Sequence, residues 1–487
     1  MELIKIIMHD FFLFDNNINM DYLKIIKEKK KNIDDLIIKE INLNNNQIHI
    51  VNIETLTSSS NINEFILKKT ILLENLSEFD LLKYLLNFMP VINVSLIKNY
   101  KDIINRLFNG FTIIIINNKI IIGCETKNDL SRGVTNIDYE KTINGPKDSF
   151  IEHYNTNLGL IRRRIKSDNL YIKTYELGTI TKTKVGLLYI KNITKNNLVN
   201  EIDKKLSKIK IDGIIDSNYL KKYLNTSKSL FPTIKSTERP DLACQSILEG
   251  KVLILVDNSP EILILPTFFI DFFHASDDYY QKRVNITFIR FIRLIAFLIA
   301  IFLPSIYISL TTHNPDAMPI NLLLSLKSQR QTVPFPGFVE GILMIIIFEI
   351  LRECDVRIPS SMGSAISILG GLVLGSASVD AGIMSPIMII IISASAISGM
   401  LMPSIDAINM IRWYRFILII LSSLFGFYGI FLGTILILTT LSDTKSLDKD
   451  YLYPFAPINF TEQKDAFLKL NQEESRNPIL SNNRKRG

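Results

Sequence analysis

The run LIAFLIAIFLPSIYISL (residues 294–310) decides the architecture, because it carries no charge over its whole length. About 20 apolar residues span a bilayer as a helix, and extending the run back to Ile286 supplies that length. Lys282, Arg283, Arg290 and Arg293 stand at or just before its start. By the positive-inside rule that end is cytoplasmic, with Arg290 and Arg293 expected to snorkel to the headgroups. Asp271 to Tyr280, with Phe272, Phe273, Tyr279 and Tyr280, reads as an interfacial aromatic belt. The chain before it is rich in Lys, Asn, Asp and Ile. The expected architecture is therefore a water-soluble α/β head up to about Tyr280, then an α-helical polytopic membrane domain from about Ile286 to Leu441.

Four more apolar segments follow: Gly337 to Ile350, Gly363 to Ala377, Ile383 to Met402 and Phe416 to Leu441. Five spans keep Arg352, Arg357, Arg412 and Arg415 inside but put the basic tail, ending Arg484-Lys485-Arg486, outside. Four spans plus a re-entrant or short helix keep the tail inside, and this count is preferred. The expected divisions are 1–145 and 146–280 for two head lobes, 281–441 for the membrane domain and 442–487 for a polar tail.

At 487 residues the chain exceeds one core. Its net charge of +7 comes with no nucleic-acid-binding motif, so solvated surface and membrane-flanking cations account for it. The three cysteines, Cys124, Cys244 and Cys354, are far apart and fit neither a metal site nor a disulfide framework. That suits a reducing compartment, and the N-terminus does not read as a secretory signal. No catalytic constellation, phosphate loop or dinucleotide motif occurs. Neither an enzymatic activity nor a cofactor is expected.

The head repeats one pattern. The strand 47–53, a helix at 62–69, a helix at 102–109 ended by Gly110, and strands 111–116 and 119–123 joined by Asn117-Asn118 form the first copy. The second has the strand 184–190, a helix at 197–209, a helix at 241–249 ended by Gly250, and strands 252–256 and 261–265 turning at Asp257-Asn258-Ser259-Pro260. Glycine closes helices in the left-handed conformation, and Asn or Asp serves hairpin turns for the same reason. Two related α/β lobes are implied. Whether the cleft between them binds a ligand or is rigid scaffold stays open. Arg162, Arg163 and Arg164 mark the inter-lobe connection, as an anion site or, more commonly, a solvated helix face.

In the membrane region Gly363, Ser367, Gly371 and Gly375 recur every fourth position, a row that suits close helix packing. The sharper expectation is that this segment, with Val373, lines a narrow pore. Ser422, Gly426, Gly429 and Gly433 repeat the theme. Glu340, Glu349 and Asp380 are costly charges at membrane depth. Glu349 can pair with Arg352 three residues on. Glu340, without a local partner, is the candidate for a pore or inter-subunit contact.

Several motifs together resemble the A subunits of GerA-type spore germinant receptors. They are Gly145-Pro146-Lys147, Ile161-Arg162-Arg163-Arg164-Ile165, Phe231-Pro232, Thr237-Glu238-Arg239-Pro240-Asp241, Leu248-Glu249-Gly250 and Asp278-Tyr279-Tyr280 in the head. Pro334-Phe335-Pro336, Phe348-Glu349-Ile350-Leu351-Arg352-Glu353, Gly370-Gly371 and Ser385-Pro386 follow in the membrane region, and Tyr451-Leu452-Tyr453-Pro454 in the tail. Asn144 stands where the family has Arg, and neither hairpin has its usual Asp-Gly. The resemblance implies a multi-pass subunit of the bacterial spore inner membrane, its head on the core side. It further implies a transporter-like B subunit and a lipoprotein C subunit as partners, and a homo-oligomer, a pentamer, forming a ligand-gated monovalent cation channel. Glu238, Arg239 and Asp241 join the arginine triplet as coupling residues. The alternatives are a secondary transporter, against which the lack of an inverted membrane repeat counts, and a scaffold or dipicolinate-release paralogue without its own pore.

Overall fold

The computed structural model describes residues 22–357, 375–458 and 480, apart from residues 45, 72–75, 88, 92, 98, 129–139, 141, 143, 226 and 228. The chain divides into two units, one built from Met1–Asn225, Ser236–Leu265 and Arg476–Gly487, the other from Thr226–Lys235 and Pro266–Ser475. The boundary thus falls at Leu265, ahead of the aromatic segment that the sequence placed in the head.

The first unit begins with α1 (Tyr22–Lys30), β1 (Leu36–Asn42), β2 (Gln47–Ile53), α2 (residues 59–71) and α3 (Glu78–Asn87). It continues through β3 (Val94–Leu96), α4 (Tyr100–Leu107), β4 (Phe111–Ile116) and β5 (Ile120–Glu125). The five strands lie in the order β1-β2-β4-β5-β3, each antiparallel to its neighbour. Side chains alternate between the two faces of a strand, and both faces of β4 are buried. Ile113 and Ile115 pack with Ile26 of α1 and Ile103 of α4. Ile114 and Ile116 pack with Ile66 of α2 and Leu81 of α3. That double burial is why β4 reads as an unbroken isoleucine run. Asn117 and Asn118 take φ of 47° and 58° at its hairpin, the left-handed region that Asn tolerates.

A second sheet follows. Its elements are α5 (Tyr154–Arg164), β6 (Leu170–Leu177), β7 (Thr183–Ile190), α6 (Asn196–Lys208), α7 (Ser217–Leu224), β8 (Lys235–Thr237), α8 (Pro240–Leu248), β9 (Val252–Val256) and β10 (Ile262–Leu265). The order β6-β7-β9-β10-β8 repeats that of the first sheet strand for strand. Gly110 (φ 86°) and Gly250 (φ 103°) close the equivalent helices α4 and α8. The edge strands, β1 and β6 on one side and β3 and β8 on the other, are additions to the elements expected from sequence.

The second unit contains α9 (Arg283–Thr312), α10 (Ile320–Gln329), α11 (Gly337–Arg357), α12 (Pro386–Met400) and α13 (Ile405–Asp443). Among the described residues, α9 and α13 are the two helices long and apolar enough to cross a membrane. With α11 and α12 they build a core that includes Ile308, Ile345, Met388, Ile392 and Ile419.

The expected straight helix over Phe416 to Leu441 is not what forms. At Gly426 the backbone leaves helical geometry (φ 61°, ψ −136°) and α13 folds back on itself. Tyr414 Oη lies 3.3 Å from Thr440 Oγ1; in a straight helix those residues would be about 39 Å apart. The outgoing arm is residues 405–425 and the returning arm residues 427–443. Asn314 and His313, just past α9, hold the tip: Phe427 N donates to Asn314 Oδ1 (3.4 Å), and His313 Nε2 is 2.7 Å from the Ser423 carbonyl. Gly429 and Gly433 sit where a Cβ would collide with the Leu421 carbonyl and the Leu418 side chain. These small residues therefore pack a helix against its own first half.

Gly337 to Ile350 extends to Arg357, carried on by a Glu353–Arg357 pair one turn apart (2.6 Å). Gly363, Ser367, Gly371 and Val373 lie outside the described residues. Gly375 is described, and a Cβ there would meet nothing within 4 Å. The tail is not simply polar from residue 442. Thr444 to Tyr453 fold into the second unit, with Tyr451 and Tyr453 buried.

Candidate functional site

Of the arginine triplet on α5, Arg162 alone bridges the two sheets. It is fully buried, and its Nη2 and Nε donate to the Asp35 carboxylate just before β1 (2.9 and 3.1 Å). Its guanidinium also lies 5.2 Å from the Phe108 ring centre. A buried charge is tolerated only when paired and hydrogen-bonded, and Thr55 Oγ1 completes the set by donating to Asp35 (3.1 Å). Around this pair the backbones join: Ile172 N donates to the Asn32 carbonyl (3.0 Å) and Thr174 N to Asp34 Oδ2 (2.6 Å). The sheets are thus held at one seam by a matched ion pair and a short ladder.

Beside the seam opens a cavity of about 370 Å³. Leu56, Phe108 and Gly110 form its apolar wall, and Lys127, Arg163 and Lys166 bring positive charge to it. Arg163 is half-exposed and only loosely paired with Asp148 (3.4 Å), whereas Arg164 is bound firmly by the same carboxylate (2.6 Å). An apolar wall with convergent cations suits a small anionic molecule.

Glu238, Arg239 and Asp241 serve a different purpose. Arg239 is fully buried, braced by Asp241 (2.8 Å), and donates to the carbonyls of Glu140 and Pro146 (both 3.1 Å) and to Thr142 Oγ1 (2.8 Å). The Glu238 carbonyl accepts from Phe150 N (2.8 Å). These residues fix the connector between the sheets rather than reach across the seam. Burial pushes the Cys124 and Cys244 thiols up to about 12, which leaves them unreactive.

In the second unit the charges are more gathered than sequence spacing indicated. Arg290 and Arg293 do not snorkel. Both are buried against Asp278, at 3.2 and 2.8 Å, and Arg293 also donates to the Phe273 carbonyl (2.9 Å). Of the belt residues Phe272 and Phe273 turn inward while Tyr280 stays exposed, and Phe269 just before them packs between Phe231, Phe273, Phe297 and Tyr451. The tail is stitched to the same place. Thr267 N donates to Ser446 Oγ (3.1 Å), Ser446 Oγ to the Thr233 carbonyl (2.8 Å), and Phe269 N to the Tyr451 carbonyl (3.0 Å).

Glu340 is fully buried and does have partners. It accepts from Ser385 N (2.5 Å) and from the Ser385 hydroxyl, with Arg330 Nε at 3.8 Å. Within this chain it joins α11 to Ser385, the residue that precedes α12. Asp380 is exposed, on a three-residue helical turn. Glu349 does pair with Arg352 (3.5 Å), and Arg412 and Arg415 of α13 converge on it too (3.1 and 3.2 Å). Those two arginines read in sequence only as flanking cations; Glu349, 63 and 66 residues earlier, is too distant to signal the contact.

An α/β unit with one strand order used twice is thus followed along the chain by an apolar helical unit that buries organised charge. The chain matches the family model described as Bacillus/Clostridium GerA spore germination protein over residues 24–478, and it belongs to that family. It is 34% identical over 457 residues to spore germination protein KA of Bacillus subtilis (92% of this chain, 84% of the relative). It is also 34% identical over 480 residues to spore germination protein GerQA of Bacillus cereus (97% and 94%). An uncharacterized membrane protein of Bacillus subtilis, YfkQ, is 33% identical over 457 residues (93% and 88%). Among solved structures, the N-terminal domain of the A subunit of the Bacillus megaterium spore germinant receptor GerK3 aligns with 51% of this chain and 94% of its own, at 28% identity and a TM-score of 0.39.

Proposed function

We propose that the chain is the A-type subunit of a nutrient germinant receptor, a multi-pass protein of the spore inner membrane that assembles with B and C subunits. In this role it forms a homo-oligomeric, ligand-gated path for monovalent cations and carries no catalytic step of its own. The observation that carries the proposal is the family match, which runs through both units and ends close to the C-terminus. Spore germination is the business of that family. Two features support the membrane part. The helical unit holds two helices of spanning length, and the fold at Gly426 brings the end of α13 back to the end where α9 begins. Chain entry and chain exit then lie at one face, which satisfies the basic tail and the basic start of α9 together.

The test is flux from vesicles holding the full chain with its B and C partners. Agonist-dependent release of monovalent cations is expected. Persistent absence of conductance with all partners and agonists present would remove the channel and leave a scaffold.

The head cavity favours one refinement, a small anion bound beside the seam. Arg163→Ala with Lys166→Ala should then shift the agonist concentration for half-maximal germination without lowering the amount of chain in the membrane. An unchanged response makes the head a scaffold.

A further inference from the structure

The charge around Glu349 does not balance. Arg352, Arg412 and Arg415 approach this one carboxylate at 3.5, 3.1 and 3.2 Å. Among the described side chains, one negative charge thus faces three positive ones. Arg412 Nη2 and Arg415 Nε have no hydrogen-bond acceptor among the described residues. Arg415 is anchored deep in the bundle, its side chain 5% exposed, with Nη1 3.4 Å from Ser395 Oγ. Ser395 in turn donates to the Ala300 carbonyl (2.8 Å). Ala300 lies seven residues beyond Arg293, so Arg415 is about 10 Å further along α9 than the arginines at its base.

The other two cations lie on the way out. Arg412 is one turn from Arg415 toward the start of α13, where Ala407 and Met410 pack beside Phe273 and Phe297 at the base of α9. Arg352 is one turn beyond Glu349 on α11, which runs the same way: its first turn packs near Ile308, far along α9, and Glu349 sits at the level of Arg415. Both side chains keep about a quarter of their surface open (26% for Arg412, 23% for Arg352). Next to Arg412, the chain's single tryptophan, Trp413, is 56% exposed. Tryptophan prefers the headgroup level of a membrane. The next pair along α11, Glu353 with Arg357, is internally matched (2.6 Å) and adds no surplus.

We propose that the Arg352–Arg412–Arg415 cluster is a binding site for the phosphate of an anionic lipid headgroup in the leaflet at the base of α9. The phosphate oxygens accept from Arg352 and from the part of Arg412 that stays open, while the buried Nε and Nη2 of Arg412 and buried Arg415 supply field and Glu349 holds the three in place. Guanidinium forks match phosphate geometry, and basic pockets between membrane helices are where acidic headgroups lodge. The proposal rests on the membrane placement proposed above.

Trp413 provides the readout. The full chain is reconstituted in phosphatidylcholine vesicles carrying graded brominated phosphatidylglycerol or brominated phosphatidylcholine, and quenching of Trp413 reports the lipid beside it. Quenching by the brominated phosphatidylglycerol is expected at several-fold lower mole fraction. Arg352→Gln, which leaves two arginines on Glu349 and so preserves the fold, should reduce that preference about fivefold. Adding Arg412→Gln should abolish it, Arg357→Gln should not change it, and Glu349→Gln should strengthen it. Equal quenching by the two lipids, or a preference that survives the double substitution, overturns the site. Relief of quenching by millimolar inorganic phosphate overturns the lipid assignment in favour of a soluble anion. Absence of quenching by either lipid overturns the membrane placement itself, and the site with it.

Discussion

Two arginine clusters, one in each unit, use the same chemistry to opposite ends. At the sheet seam Arg162 meets one carboxylate, Asp35, with both sealed from water and every strong donor direction answered nearby. In the helical unit three arginines share Glu349, and two of the three keep open surface. A matched, buried pair specifies how two lobes meet. An unmatched, partly open cluster has affinity left over for something else. The count of charges against counter-charges, more than burial, separates a strut from a site.

Breaking the strut should have the largest effect. Asp35→Ala leaves Arg162 buried and uncompensated, a change that costs roughly 3–5 kcal/mol. Hydrogen exchange on the full chain should show protection lost at residues 32–36 and 170–174 together. Arg162→Met with Asp35→Ala should recover much of the loss, because no charge is then stranded. If the double substitution is as damaging as the single one, the pair is not what holds the seam.

In the α13 hairpin of the other unit, shape rather than charge sets the geometry. Gly433→Leu should cost about 1–3 kcal/mol by overpacking the arms. Gly426→Ala, forced into a backbone conformation (φ 61°, ψ −136°) that side chains rarely adopt and against His313 and Asn314, should cost about 1–3 kcal/mol. Both are checked by the unfolding midpoint in detergent. Cysteines placed at Tyr414 and Thr440 should cross-link readily in the parent chain and poorly in Gly433→Leu. Failure to cross-link in the parent would mean a straight helix.

The smallest effect is a pH dependence in the first sheet. His49 is buried, and burial holds its pKa below the ordinary value near 6.5, outweighing the attraction of Glu40 at 3.5 Å. The unfolded chain therefore binds this proton more readily than the folded one. The stabilisation is complete above about pH 6.5 and is lost as pH falls toward the folded value. His49→Leu should flatten that part of the melting-temperature profile. An unchanged profile assigns the dependence to other groups.

The sequence carried the inner strands and their turns plainly. Asn117-Asn118 and Asn258 mark hairpins, Gly110 and Gly250 mark helix ends, and the isoleucine run of β4 announces burial on both faces. It hid the edge strands: β1 and β6, whose Lys, Glu and Tyr residues blur the alternation, and β3 and β8, which are only three residues long. The Gly426 fold was invisible because one glycine in a long apolar run does not disturb a hydropathy pattern. Asp35 gave no signal as one acid in a polar linker, although its partner Arg162 stood out in a triplet. Arg290, Arg293, Arg412 and Arg415 were visible as membrane-flanking cations. Their carboxylates, Asp278 and Glu349, were visible too, but the pairing exists only in three dimensions.

In the proposed function the helical unit crosses a membrane and returns the chain to the face from which α9 starts. This path is tested by placing single cysteines, in a background with Cys354→Ser, at Lys282 before α9, at Asp316 beyond its far end, and at Ser442 on the returning arm of α13. Labelling by a membrane-impermeant maleimide is then compared on sealed vesicles of one orientation. Lys282→Cys and Ser442→Cys are expected to react together from one side and Asp316→Cys from the other. Reaction of Ser442→Cys with Asp316→Cys, or of all three from one side, would contradict the account.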